Sequence, residues 1–454
     1  MRRGRRATVT GSAAGRPAPG GRALRTAIVL GAACGLVQAP LPAGATAVNW
    51  LSAYRTDPDA RAVRGSATAG AGAPLLGPGT YVDTVSAGER KYYRVALDAT
   101  SNAYVSAVLA PPPGSRVQAA DGIRVSLKSA DGAACSVRND ITFGGVTPLP
   151  AADYATRRIG QGRECQEAGE YLYTVEWIGD ALGSAAKGWT VELKYMSEPG
   201  LRAGTPEPVA PAASGARTPA PERVRGTPRA VTGGSGFNDA HPVGHGVWKD
   251  TLRPGDSRFY KVPVDWGRRL TLDAEFGGTS AGTATAVDGG IRATVFNTAR
   301  GFVADTAEPY RGRPAGVSLD TAPAAFANRL SDDDDISGMR FSGMYYVRVT
   351  LDRKVARALP VTLRIGVAGE PQRAPDYRSD PVAAGFGITE DDREAAQEGR
   401  VDDDDTREAL MTAVGFTGIG LGSALLLVLL GWTASARLAR PRGRHASGAP
   451  SRAH

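Results

Sequence analysis

The chain has 454 residues, room for two or three domains, with 42% apolar residues, 58 Gly and 31 Pro, a composition suited to β-structure with many turns and loose linkers. The formal charge of +8 is concentrated at the ends. Residues 1–45 carry seven Arg and residues 434–454 five, neither with an acid, so the remaining 42 Lys and Arg face 46 Asp and Glu. The middle of the chain is mildly acidic and has no basic stripe with interleaved aromatics, which argues against a nucleic-acid partner.

Residues 1–26 are Arg-rich, an apolar run follows from Ala27 to Val37, and small residues with Pro40 and Pro42 close the segment. That order predicts a secretory signal peptide over 1–45, with A-x-A-like sites at Ala43-Gly44-Ala45 and Ala45-Thr46-Ala47. The paired arginines near the start hint weakly at a twin-Arg route. Residues 46–74 read as an N-terminal lead-in.

Two stretches 167 positions apart then match closely, Gly79 to Asp98 and Gly246 to Asp265. Their shared pattern is G-x-aromatic-x-D-T-apolar-x-x-G-acid-x-basic-aromatic-Y-basic-V-x-apolar-D. The match continues in order: Asp121 to Leu127 with Gly289 to Val295, Gly169 to Val175 with Gly343 to Val349, and Trp189 to Leu193 with Leu359 to Leu363. Each block alternates apolar and polar residues and is bounded by Gly, Pro or Asp, the pattern of half-buried strands joined by tight turns. The fold class expected is all-β: two tandem antiparallel β-sandwiches, jelly-roll-like, at 75–200 and 241–370.

The turn, the D/E-x-x-Y-Y/F-x-V strand and the later G-x-Y-x-V-x-V strand resemble the bacterial pre-peptidase C-terminal domain, a small jelly-roll-like β-sandwich appended to secreted hydrolases. The motif falls on Glu89 to Leu97 with Gly169-Glu170-Tyr171, and on Asp256 to Val264 with Gly343-Met344-Tyr345. The chain also resembles exported membrane proteins of high-GC actinobacteria. No peptidase domain is attached, which departs from the usual setting of that module.

Cys135 and Cys165 are the cysteines that remain after the leader, and outside the cell two such residues predict a disulfide in the first sandwich. The loop they close contains Phe143-Gly144-Gly145 and Pro148-Leu149-Pro150 and reads as an irregular excursion from the sandwich. Residues 201–240, rich in Pro and Ala, read as a linker. Residues 371–408 read as an acidic spacer before a membrane.

Glu408 and Arg437 bracket 28 residues without a charge. A transmembrane helix is expected at 409–433, followed by a basic cytoplasmic tail at 434–454. Arg437, Arg440, Arg442 and Arg444 after the span, against Asp402 to Asp405 before it, place the C-terminus inside and the sandwiches outside the cell membrane. Gly418 and Gly422 form a G-x-x-x-G that would let two such helices pack as a homodimer; Gly is also common in any membrane helix.

Chemistry-bearing motifs are sparse. There is no G-x-S-x-G elbow and no P-loop. His241 and His245 are four apart, but Pro242 and Gly244 argue against a shared helix face, and a solvated loop is the expectation. Asp332, Asp333, Asp334 and Asp335 form an acidic run whose mutual repulsion a Ca²⁺ ion would relieve, although contiguous Asp more commonly makes a hydrated loop. With no catalytic constellation, the sequence points to a non-catalytic surface protein that binds an exported protein, a wall polymer or a ligand. The alternatives are an accessory subunit of an exported protease or secretion complex and, more remotely, a hydrolase using dispersed carboxylates.

Overall fold

In the computed structural model the described residues are 53–400, apart from 71, 137–138, 146, 161–162, 180–187, 206–222 and 280–285. The expected leader at 1–45, Gly418, Gly422 and the apolar segment 409–433 lie outside them. Among the described residues no helix is long and apolar enough to cross a membrane.

The first half forms ten strands: β1 (Arg61–Ala62), β2 (Leu75–Leu76), β3 (Gly79–Val85), β4 (Arg90–Leu97), β5 (Asn102–Ala110), β6 (Gly122–Lys128), β7 (Asn139–Thr142), β8 (Ala151–Arg157), β9 (Gly169–Ile178) and β10 (Trp189–Glu198). The second half repeats them: β11 (Arg229–Ala230), β12 (His241–Pro242), β13 (Gly246–Leu252), β14 (Ser257–Val264), β15 (Arg269–Phe276), β16 (Val287–Phe296), β17 (Phe302–Tyr310), β18 (Ala315–Asp320), β19 (Gly343–Leu351) and β20 (Leu359–Ala368). The sheets run β1-β3-β10-β5-β8 and β2-β4-β9-β6-β7, then β11-β13-β20-β15-β18 and β12-β14-β19-β16-β17. The eight long strands of each half pair first with last, second with seventh, third with sixth and fourth with fifth. This is a hairpin rolled up on itself, the jelly-roll arrangement the sequence suggested.

The repeated motif has a physical reason in both copies. Asp83 accepts from the Tyr93 hydroxyl at 2.8 Å and from the Gly65 amide at 2.7 Å; Asp250 accepts from Tyr260 at 2.7 Å and Gly233 at 2.8 Å. One carboxylate thus ties the first long strand, the second long strand and the chain that precedes them. A Cβ on Gly65 or Gly233 would meet the tyrosine ring at 2.7 or 2.8 Å, so those positions admit only Gly. Likewise Arg61 lies over the Tyr81 ring at 4.2 Å and Arg229 over the Trp248 ring at 3.8 Å, cation–π contacts across the parallel β1–β3 and β11–β13 pairs.

Several boundaries differ from the sequence reading. Arg61–Ala62 belongs to the first sandwich, not to a lead-in. Of the expected linker 201–240, residues 223–240 pack on the second sandwich, with Val224, Val231, Phe237 and Ala240 buried; their apolar side chains are isolated among Gly and Pro, which hid them. The loop closed by Cys135 and Cys165 is no excursion: it contains β7, four residues long, and β8, whose buried alanines lack a clear alternation in size. The spacer expected at 371–408 is, over 371–400, a strap returning across both sandwiches. Tyr377 donates to buried Glu198 at 2.7 Å, Phe386 enters an apolar cluster between the halves, and helix α2 (Glu390–Glu398) lies against β12 and β14. Thr389 and Asp392 close a capping box at the start of α2.

The two sandwiches are not beads on a string. Every residue of β5 is buried, because one face fills the first core and the other, with Tyr104 and Val108, meets the second half. Phe237 inserts among Phe259, Phe296 and Tyr346 with ring centroids 5.0, 5.2 and 5.0 Å away, beside Val108 and Ala152 of the first half. Arg300 crosses to Glu192, the two side chains 2% and 0% exposed, and Asn238 and Tyr54 donate to the same carboxylate.

Candidate functional site

A cleft opens where this face-to-face packing ends, between the β7–β8 region of the first sandwich and β16, β17 and β19 of the second. One lobe has a volume of about 450 Å³ and an adjoining lobe about 260 Å³, and they share Asp153, Phe302 and Asp334. β8 is an edge strand, so Asp153 projects at the margin of its sheet, and its carboxylate accepts the Phe302 amide across the junction at 3.0 Å as well as the Tyr154 amide at 2.8 Å. Burial pushes the Asp153 carboxyl up to about 7, against the pull of those two amides and of Arg340; nearby Asp334 adds to the rise.

Several charges in the larger lobe are already neutralised. Asp140 is gripped by both arms of Arg124 at 2.5 Å, and Asp305 lies 3.5 Å from Arg292. Arg348 differs. It is 5% exposed, donates to the Pro150 carbonyl and to Thr294 Oγ1, and its Nε has no hydrogen-bond partner. Burial, then Arg292, pushes it down to about 9.

The smaller lobe repeats the theme. Arg340, 4% exposed, donates from Nε to the Ser337 carbonyl and leaves Nη1 without a partner. Burial opposes its charge, but Tyr154, Tyr104 and Glu198 outweigh that and hold it above its ordinary value. Arg158 donates to the Arg329 carbonyl at 2.7 Å, has an unpartnered Nε, and is pushed down to about 10 by burial and by Arg340 and Arg163. None of these three guanidiniums has a carboxylate within ion-pair distance among the described residues. Buried cations without a counter-ion are costly, and two of these three, Arg340 and Arg348, are buried on the cleft walls.

The residues singled out from sequence fall partly around this cleft. Asp332 and Asp334 stand exposed at its rim. Asp333 caps the one-turn helix α1 (Asp334–Ser337) by accepting the Asp335 amide at 3.0 Å, so the run serves as cap and first turn. Among the described residues no group of three or more His, Cys, Asp or Glu is placed to hold a metal ion. Cys135 and Cys165 are bonded, with Cα atoms 5.4 Å apart. His241 is on β12 rather than in a solvated loop, and its Nε2 lies 3.0 Å from the Gly399 carbonyl; His245 Nδ1 accepts the Val367 amide. Arg348, Arg340, Arg158 and Asp153 were not found from sequence. On β19 the alternation puts Arg348 opposite the core, where an exposed arginine is ordinary. The signal that the opposite face is buried is the uncharged β5, Asn102–Ala110.

No family model matches the chain, and no curated protein matches it. Among solved structures, similarity is found to the N-terminal CBM22-1-CBM22-2 tandem domain of Paenibacillus barcinonensis Xyn10C (11% identity, 64% of this chain and 86% of that one, TM-score 0.18). Others are the CUB1-EGF-CUB2 domains of rat MASP-1 (10% identity, 64% and 99%, TM-score 0.15) and the ANX1 ectodomain of Arabidopsis thaliana (7%, 67% and 92%, TM-score 0.18). Scores this low assign neither fold nor function, and the architecture rests on the strand order given above.

Proposed function

We propose that the protein is a non-catalytic binding protein of the cell surface, held by a single C-terminal span with both sandwiches outside, and that its ligand sits in the cleft between them. The carrying observation is the set of three arginines on the cleft walls, Arg340 and Arg348 buried and Arg158 half-buried, that have no carboxylate at ion-pair distance among the described residues. Export is supported by the acid-free, Arg-rich leader and by the cysteine pair, and anchoring by the uncharged segment 409–433 followed by arginines. Clefts between domains are common ligand positions, and rigid β-scaffolds commonly present binding groups at their edges.

The test is a thermal-shift panel of charged small molecules and wall fragments on the full chain in detergent, run beside Thr142→Trp. Thr142 is exposed on β7 and lines the larger lobe, so tryptophan there fills that lobe without disturbing a core. A ligand that stabilises the native chain and not Thr142→Trp supports the reading. Ligands that act equally on both, and equally on Arg158→Gln in the smaller lobe, bind elsewhere and refute it.

A further inference from the structure

We propose that the ligand is zwitterionic, a free amino acid or a short peptide, bound with its carboxylate inward on Arg158 and Arg340 and its ammonium outward on Asp332 and Asp334. This rests on the cleft reading and goes beyond it in naming the ligand class.

The argument is the segregation of charge by depth. Arg340 and Arg348 are nine-tenths or more buried, Arg158 is half-buried and shares the smaller lobe with Arg340, and each has one guanidinium N–H without a hydrogen-bond partner. Asp332 and Asp334, which line the same lobe as Arg158 and Arg340, are exposed. A simple anion would be drawn to the floor but repelled at the entrance; a simple cation would be held at the entrance and refused by the floor. A ligand with both charges satisfies both. Guanidinium matches carboxylate geometrically, two N–H groups to two oxygens. Asp153 lines the same lobe, and burial pushes its carboxyl up to about 7, so it opposes the arginines less than an ordinary carboxylate would.

Size and polarity narrow the class. The lobe shared by Arg158, Arg340, Asp332 and Asp334 has about 260 Å³, below the span usual for drug-sized ligands, roughly 300–1,000 Å³. Its lining is rich in hydroxyls, with Ser136, Thr156, Ser331 and Ser337, which suits a small polar backbone.

Isothermal titration of the full chain in detergent tests this with three probes: L-alanyl-L-alanine, its N-acetyl derivative and its C-terminal amide. The expected result is binding of the free dipeptide, at least tenfold weaker with either blocked form. Arg158→Lys should retain part of the affinity that Arg158→Gln loses, at unchanged melting temperature, which a merely structural arginine would not produce. Asp334→Asn should bring the free and N-acetyl dipeptides closer together. Equal binding of free and blocked dipeptides, or no binding of any, overturns the zwitterion assignment. If the charged panel of the previous section still yields a ligand blocked by Thr142→Trp, the cleft reading survives that loss.

Discussion

At the scale of single residues, the junction rests on a buried ion pair with little tolerance. Glu192 accepts from Arg300, Asn238 and Tyr54, and the Asp57 amide adds a fourth donor at 2.9 Å. Arg300 holds a left-handed backbone, φ 64°, in the β16–β17 turn, a conformation that costs a non-Gly residue energy and is kept because the side chain is locked across the junction. Removing the carboxylate with Glu192→Ala strands a buried guanidinium, so a loss of about 3–5 kcal/mol is expected, measurable by urea unfolding. A loss under about 1 kcal/mol would mean the pair is solvated. Asp153 gives a prediction with a pH signature. Its carboxyl is raised to about 7, so between the ordinary carboxylate range near ~4 and pH ~7 the folded form holds a proton that the unfolded chain has lost. Its contribution to stability therefore declines as pH rises through that window and is constant above it. Asp153→Asn keeps an oxygen for the Phe302 and Tyr154 amides and cannot ionise. Its melting temperature relative to the native chain should be higher at pH 8 than at pH 4.5; a difference independent of pH would show that the carboxyl titrates normally.

At the scale of elements, the two jelly rolls share a latch and differ in how their loops are held. Tyr93 and Tyr260 belong to a pattern that was readable from sequence because the Asp and the Tyr recur at matching offsets, whereas Gly65 and Gly233 lie before the repeated stretches. The Arg61 and Arg229 strands recur as well, but each is two residues long and too short to show a period. β7 and β8 escaped for another reason: Ala151, Ala152 and Ala155 are buried without being large, so alternation in size is lost. The first sandwich ties its loops with Cys135–Cys165, one in the β6–β7 loop and one in the β8–β9 loop, across 30 residues. The bond therefore encloses two of the eight long strands, and removing it frees more than a surface loop. Replacing both cysteines with Ala should lower the stability of the first sandwich by about 3–4 kcal/mol on the chain-entropy account. Hydrogen exchange should rise first in β7 and β8. Unchanged exchange in those strands would show that β-pairing alone holds them.

At the scale of the molecule, the sequence reading allowed two independent domains on flexible spacers, and the structure joins them into one body. The reason lies in faces, not in strands. Tyr104 and Val108 on β5, Phe259 on β14, Phe296 on β16 and Tyr346 on β19 each sit opposite their own sandwich core, where alternation alone predicts solvent. A single sequence does not say which outward faces will meet, and the segments that seal the contact, 223–240 and 371–400, have the composition of linkers. This arrangement has a thermodynamic consequence. Independent sandwiches would unfold in separate transitions, whereas halves that share an apolar seam, a buried ion pair and a common strap should unfold together. Tryptophan reports both halves, since Trp177 and Trp189 lie in the first and Trp248 and Trp266 in the second. A pair of reporters, one with Trp177 and Trp189 changed to Phe and one with Trp248 and Trp266 changed to Phe, should give coincident urea midpoints. Phe237→Ala, which removes the ring seated among three others at the seam, should cost about 3–5 kcal/mol and separate the two midpoints by weakening the contact more than either core. Distinct midpoints in the reporters that retain Phe237 would mean that the seam is too weak to couple the halves. The cleft would then vary in width from one molecule to the next, and the proposed ligand would bind with the affinity of one wall alone.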